Sequence, residues 1–110
     1  MSGSMLVIED DETFSATLVR ALKRRGYAVV AARSAAEAFE CATAGVPDQV
    51  VLDLNLGGDS GLNLIPRLLE LNPACRIVVL TGYASITTAV DAIKLGAVQY
   101  LAKPVDVNAL

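Results

Sequence analysis

The chain has no histidine and no tryptophan, and only two cysteines among its 110 residues. Without histidine there is no imidazole base and the commonest zinc ligand is missing. Cys41 and Cys75 stand far apart with no CxxC spacing, so neither a zinc site nor a thiol–histidine catalytic pair is expected. Two thiols so spaced fit a reduced, cytoplasmic protein in which they serve packing or stand incidentally at the surface, with redox sensing the less favoured alternative. Long apolar runs are also missing. Stretches such as Ile77 to Leu80 fall far short of the roughly 20 residues that span a bilayer, and no membrane association is expected. Met1-Ser2-Gly3-Ser4 is small and polar with no apolar signal core, so residues 1–4 read as an extraneous leader before a native start near Met5. A net charge of −3 excludes a globally basic nucleic-acid surface. The one basic cluster, Lys23-Arg24-Arg25, suits the last turn of a helix, where cations complement the dipole.

The chain does have 54% hydrophobic residues, enough for a core in a single domain of this length. Strand-length apolar runs occur at Met5 to Ile8, Val50 to Leu54, Ile77 to Leu80 and Tyr100 to Ala102, with a weaker one at Tyr27 to Ala32. Between them apolar residues recur at helical spacing: Phe14, Leu18, Ala21 and Leu22; Leu62, Ile65, Leu68 and Leu69; Ile86, Ala89, Val90 and Ile93. Gly26, Gly45 and Gly96 each follow a helical segment, where a left-handed residue would end it. Ser34 and Glu37 have capping-box spacing, and Asn72-Pro73 closes a helix. Alternating β and α units without a linker predict an α/β, doubly wound parallel sheet with helices on both faces. Asp106 to Leu110 opens a last helix too short for two turns, so the native protein is expected to continue beyond it.

In such a sheet, ligands bind beyond the carboxyl ends of the strands. Glu9, Asp10 and Asp11 follow the first run. Asp53 ends the third, with Asn55 beyond it, Thr81 ends the fourth, and Lys103-Pro104 follows the fifth. Asp11 and Glu12 have a plainer reading as helix N-terminal charge. Thr81 or Lys103 alone would be an ordinary strand-end hydroxyl or solvated amine. Asp53 differs, because a carboxylate set into Val50-Val51-Leu52 and Leu54 is costly to bury without a purpose. Carboxylates from two strand ends suit a hard divalent cation, and the set as a whole offers a metal, a nucleophilic carboxylate and phosphoryl-oxygen donors.

The runs Leu6-Val7-Ile8-Glu9-Asp10-Asp11, Val51-Leu52-Asp53-Leu54-Asn55-Leu56, Val79-Leu80-Thr81-Gly82-Tyr83 and Tyr100-Leu101-Ala102-Lys103-Pro104 resemble, in order and spacing, the four signatures of response-regulator receiver domains. The match covers nearly all of the chain from Met5, making 5–110 a receiver domain that lacks most of its last helix. The stretch Leu80 to Ile86, with Ala92 to Ala97, is further similar to the ActR/RegA/PrrA class of two-component regulators of redox and photosynthetic gene expression.

That resemblance implies a five-stranded sheet of flavodoxin-like order 2-1-3-4-5 and a signalling module rather than an enzyme. It implies that Asp53 accepts a phosphoryl group from the phosphohistidine of a sensor histidine kinase. Asp10 and Asp53 would bind Mg2+ directly, Glu9 through water, and Asn55 through its backbone carbonyl. Thr81 and Lys103 would contact phosphoryl oxygens, Tyr100 would switch together with Thr81, and the bond to Pro104 would be cis. The resemblance also implies a helix-turn-helix DNA-binding output domain outside this chain, no direct nucleic-acid binding by the chain itself, and homodimerisation on phosphorylation. Two positions depart from the pattern: Glu9 stands where Asp is usual, and Gly57 stands where Pro is common, within a glycine-rich loop expected to be mobile. The alternative is a receiver-like interaction module that signals without phosphorylation; the intact set of Asp10, Asp53, Thr81 and Lys103 argues against it. A flavodoxin-like carrier would need a glycine- and hydroxyl-rich phosphate loop where Glu9-Asp10-Asp11 stands. A phosphatase acting on external substrates would need a cap for which the connections leave little room.

Overall fold

Near-continuous burial along the central strands β1 and β3 marks a sheet covered on both faces. The computed structural model describes residues 3–45, 47–56, 59–81 and 86–102. In chain order its strands are β1 (Ser4–Ile8), β2 (Ala28–Ala32), β3 (Gln49–Asp53), the short β4 (Asn55–Leu56) and β5 (Asp59–Ser60), β6 (Arg76–Thr81) and β7 (Gln99–Ala102). Apart from β4 and β5 they form one sheet in the order β2-β1-β3-β6-β7, with every pairing parallel. Counting these five alone gives the expected 2-1-3-4-5. Helices α1 (Glu12–Arg24), α2 (Ala35–Ala44), α3 (Leu64–Leu71) and α4 (Ile86–Leu95) connect them.

Successive strand residues point to opposite faces. Met5 and Val7 of β1 join Val51 of β3 and Leu80 of β6 against Leu18 and Leu22 of α1. Leu6 and Ile8 join Val50, Leu52, Ile77 and Val79 beneath Ala38, Leu64, Ile65, Leu68 and Ala92 of α2, α3 and α4. Each fully buried Leu or Ile contributes about 1.5–3 kcal/mol, so these two layers are the main source of stability.

The helix ends follow local chemistry. Asp11 caps α1, its Oδ1 accepting from the N–H groups of Thr13 at 3.0 Å and Phe14 at 3.2 Å. Lys23 and Arg24 lie in its last turn, as expected. Ser34 caps α2, its Oγ accepting from the Glu37 N–H at 3.1 Å. Pro66 falls in the first turn of α3, where a missing N–H costs no helical bond. Asn72 ends that helix in an extended conformation just before Pro73.

Ser4 is the first residue of β1; it pairs with Ala28 and exchanges hydrogen bonds with Asp48. The structure corrects several expectations of local detail. Gly26 and Gly96 have the left-handed backbone expected of them, at φ 93° and 119°, but Gly45 is extended at φ −157°. The α2 end is closed instead by the Gly45 N–H donating to the Cys41 carbonyl. Strand β3 stops at Asp53. The antiparallel hairpin of β4 with β5 comes after it, then a 3-10 turn over Gly61–Asn63, so α3 starts at Leu64 rather than near Leu62. In α4, Val90 and Ile93 are exposed while Ala92 is fully buried, because the small side chain lets the helix sit close to the sheet. The opening of the last helix at Asp106 lies outside the described residues.

Candidate functional site

Strand register brings the acidic residues together. Ile8 pairs with Leu52, so the next residues along, Glu9 and Asp53, leave adjacent strands side by side at the carboxyl edge. The Glu9 N–H still donates to the Ala32 carbonyl at 3.0 Å, which extends the ladder to β2 and fixes the backbone. Asp53 remains within β3, paired with Leu80. Glu9 is 2% exposed and Asp53 4%, whereas Asp10 is exposed. One carboxylate oxygen from each of Glu9, Asp10 and Asp53 lies within 4.8 Å of the other two.

Like charges this close repel unless a cation or proton intervenes. Three hard oxygen donors converging on one point, two of them buried, fit a divalent ion such as magnesium or calcium. The expected separation of roles also holds: Asp11 spends its carboxylate on capping α1 and stays out of the cluster. Among the described residues no buried side-chain nitrogen or oxygen lacks a hydrogen-bond partner. The Glu9 carboxylate is tethered locally, Oε2 accepting from the Asp11 N–H at 3.3 Å.

The other expected residues are reached through the backbone. Thr81 ends β6, one position beyond Leu80, the partner of Asp53, and pairs with Ala102 of β7. Asn55 opens β4, two residues after Asp53. Tyr100 pairs with Val79 and is half-buried against the layer that contains Ala92. Lys103 and Pro104 lie outside the described residues, immediately after Ala102.

One contributor was not singled out from sequence. Gly61 is buried, and a Cβ there would meet the Asp53 carbonyl oxygen at 2.7 Å and the Leu54 Cα at 3.1 Å. Its N–H donates to the Leu54 carbonyl at 2.9 Å, while the Leu54 N–H donates to the Leu80 carbonyl at 3.2 Å. The chain thus folds back tightly over Asp53, and only a residue without a side chain permits it. The glycine-rich tract signalled a turn but not which glycine was indispensable. Gly57 and Gly58, where mobility was expected, lie outside the described residues.

A parallel sheet of this order with acids gathered at the β1 and β3 ends defines a receiver-type α/β domain. The profile of the response regulator receiver domain matches residues 5–110, and the chain belongs to that family. It is 47% identical over 105 residues to the photosynthetic apparatus regulatory protein RegA of Cereibacter sphaeroides, a match covering 96% of this chain and 57% of that protein. It is 46% identical to the acid tolerance regulatory protein ActR of Sinorhizobium medicae, covering 96% of this chain and 54% of the relative. Both agree with the ActR/RegA resemblance read from sequence, and the chain spans little more than half the length of either. Among solved structures, a response regulator protein from Burkholderia pseudomallei with a phosphorylated aspartic acid, a calcium ion and citrate superposes with a TM-score of 0.93 at 54% identity, covering 96% of this chain and 62% of that one.

Proposed function

We propose that this receiver domain is switched by magnesium-dependent phosphoryl transfer from a sensor histidine kinase to Asp53. The observation that carries the reading is the meeting of Glu9, Asp10 and Asp53 at one rim of the sheet, with Asp53 buried at a strand end. Asp10, Asp53 and the Asn55 backbone carbonyl would hold the cation, with Glu9 acting on it through water. The bound cation supplies neutralisation of phosphoryl charge, so that the acidic rim does not repel the donor. Asp53 is the nucleophile; Thr81 and Lys103 donate to phosphoryl oxygens, with a cis bond to Pro104 aiming the lysine. The phosphorylated relative from Burkholderia pseudomallei, with its calcium ion, supports this chemistry for the present chain.

Phosphorylation adds about −1.5 to −2 charges at the strand ends and shifts the population toward a state in which Thr81 turns inward and Tyr100 follows. The surface altered is that of α4 and β7, where Val90, Ile93 and Leu95 of α4 and Val98, just before β7, are exposed. Such an apolar surface suits regulated contact with a second copy or with an output domain. In keeping with the resemblance to the ActR/RegA class, that output is a helix-turn-helix DNA-binding domain outside residues 1–110, and the protein works in the cytoplasm as a signalling module rather than as an enzyme. No helix among the described residues is long and apolar enough to cross a membrane.

The test is incubation with magnesium and acetyl phosphate, then intact-mass measurement of wild type and Asp53→Asn. Wild type gains one acid-labile phosphoryl group and the variant none. Equal labelling of both proteins defeats the assignment.

A further inference from the structure

We propose that the free edge of β2 pairs with the β2 edge of a second copy of this chain, antiparallel and centred on Val30, so that two sheets join into one across a two-fold axis. This edge lies at the far side of the sheet from β7, and the inference is independent of the phosphoryl-transfer reading.

The edge is unguarded. Strand β2 reads Ala28-Val29-Val30-Ala31-Ala32 and, among the described residues, pairs with β1 alone. It carries no charge, proline or bulge, the devices that usually keep an open edge from pairing. Ala28 and Ala31 are exposed, and Val30, at the middle, is 54% exposed. The β7 edge, by contrast, begins with Gln99 and is followed at once in sequence by Lys103-Pro104.

Backbone direction sets the register. The Ala28 N–H donates to the Gly3 carbonyl and the Ala32 carbonyl accepts from the Glu9 N–H, so residues 28, 30 and 32 turn their polar groups toward β1. Val29 and Ala31 turn theirs outward. An antiparallel partner centred on Val30 sets Val29 against Ala31 of the second copy, and Ala31 against its Val29. Each such pair exchanges both N–H···O bonds, while the two Val30 side chains meet at the closer, non-hydrogen-bonded position. Any other register leaves part of the strand unpaired.

Shape and charge agree with this pairing. On the α2 side a groove of about 310 Å3 runs along Ala28 and Val30, walled by Cys41, Gly45 and Pro47. On the α1 side a second groove of about 310 Å3 runs beside Ala31, walled by Glu12, Ala16 and Val19. A strand added at a sheet edge sends alternate side chains to the two faces, where these grooves receive them. Lys23, exposed one turn beyond Val19, continues the α1 stripe. Glu12 and Lys23 are placed symmetrically about the midpoint of Ala16 and Val19, which share their groove with Ala31, the neighbour of Val30. The axis that relates the two strands therefore faces Glu12 of each copy with Lys23 of the other, across small side chains that let the helices approach. Glu12 holds Arg33 through Oε1 at 2.9 Å, which leaves Oε2 for the lysine.

Sedimentation velocity from about 10 to 500 µM without phosphodonor, with hydrogen exchange of residues 27–33 at both ends of that range, tests the pairing. Wild type is expected to dimerise as concentration rises and to gain protection at the Val29 and Ala31 amides. Val30→Lys and Ala31→Pro, both tolerable on an open edge, should each weaken association by about tenfold or more while circular dichroism shows the fold kept. Glu12→Lys and Lys23→Glu should each associate about threefold more weakly alone and recover when mixed in equal amounts. Wild type monomeric throughout, dimers unaffected by Val30→Lys and Ala31→Pro, dimers without protection of residues 27–33, or charge variants that do not recover on mixing overturn the inference. A monomeric wild type whose residues 27–33 become protected by a synthetic peptide of residues 26–34 assigns the edge to an extended peptide instead, and overturns it too.

Discussion

Replacing Gly61 with alanine probes the tightest packing around Asp53. Gly61 has no left-handed backbone to protect, since the positive-φ glycines among the described residues are Gly26 and Gly96. The conflict is one of space. The new methyl carbon would sit 2.7 Å from the Asp53 carbonyl oxygen, and 3.1 Å from both the Leu52 Cδ1 and the Leu54 Cα. The first neighbour is backbone, locked by the pairing of Asp53 with Leu80 and by the bonds Leu54 N–H to Leu80 and Gly61 N–H to Leu54. Relief therefore means moving the end of β3 or peeling the hairpin away. Overpacking of this kind costs about 1–3 kcal/mol. Alanine returns about 0.4–1 kcal/mol by restricting the unfolded chain. The net loss is about 0–2.6 kcal/mol, which for a domain near 100 residues lowers Tm by up to roughly 20 °C. Thermal unfolding monitored by circular dichroism measures it, and acetyl phosphate labelling of the folded variant reports whether Asp53 has moved. A raised Tm would refute the claim that the chain closes tightly over Asp53.

The helix cap, the core and the thiols are open to the same kind of test. Asp11→Ala removes the acceptor for two N–H groups of α1 and should cost about 1 kcal/mol in urea unfolding; no loss would mean that water replaces the cap fully. Leu18→Ala, at a 2% exposed position between α1 and the sheet, should cost about 2–5 kcal/mol in the same assay. Burial, with the Asp48 charge adding to it, pushes the Cys75 thiol from an ordinary 9.0 up to about 11. Cys75 should therefore stay unmodified by iodoacetamide at pH 8 in the native state, while the half-buried Cys41 reacts first. The folded state holds this proton more tightly than the unfolded one, so the stabilising contribution is complete below pH 9 and is lost as pH rises to about 11. Cys75→Ala should flatten that part of the stability–pH curve.

The sheet was legible because its strands carry compact apolar runs and turn chemistry separates them. The acidic cluster was legible for a related reason: a parallel sheet delivers the residue after each run to the same edge, so Glu9 and Asp53 could be placed together from the order of the residues alone. What remained hidden depends on tertiary contact. The hairpin of Asn55–Leu56 with Asp59–Ser60 has strands of two residues, too short for any periodicity. Val90 and Ile93 fit a helical stripe, but which side of α4 meets the sheet is decided by how closely Ala92 can approach, a packing property that spacing does not encode. Gly45 looked like Gly26 and Gly96 in sequence, yet α2 ends without a left-handed residue. The hydrogen bonds of the Ser4 hydroxyl and amide with Asp48 join residues distant in sequence, which no local pattern announces.

Chemical trapping of the modified residue tests the central claim most directly. After phosphorylation in magnesium, borohydride reduces an aspartyl phosphate to homoserine, and peptide sequencing by mass spectrometry locates it. Homoserine at position 53 and nowhere else is the predicted result. Homoserine at position 10, a phosphoryl group on a hydroxyl that survives acid, or no trapped product from labelled protein would contradict it.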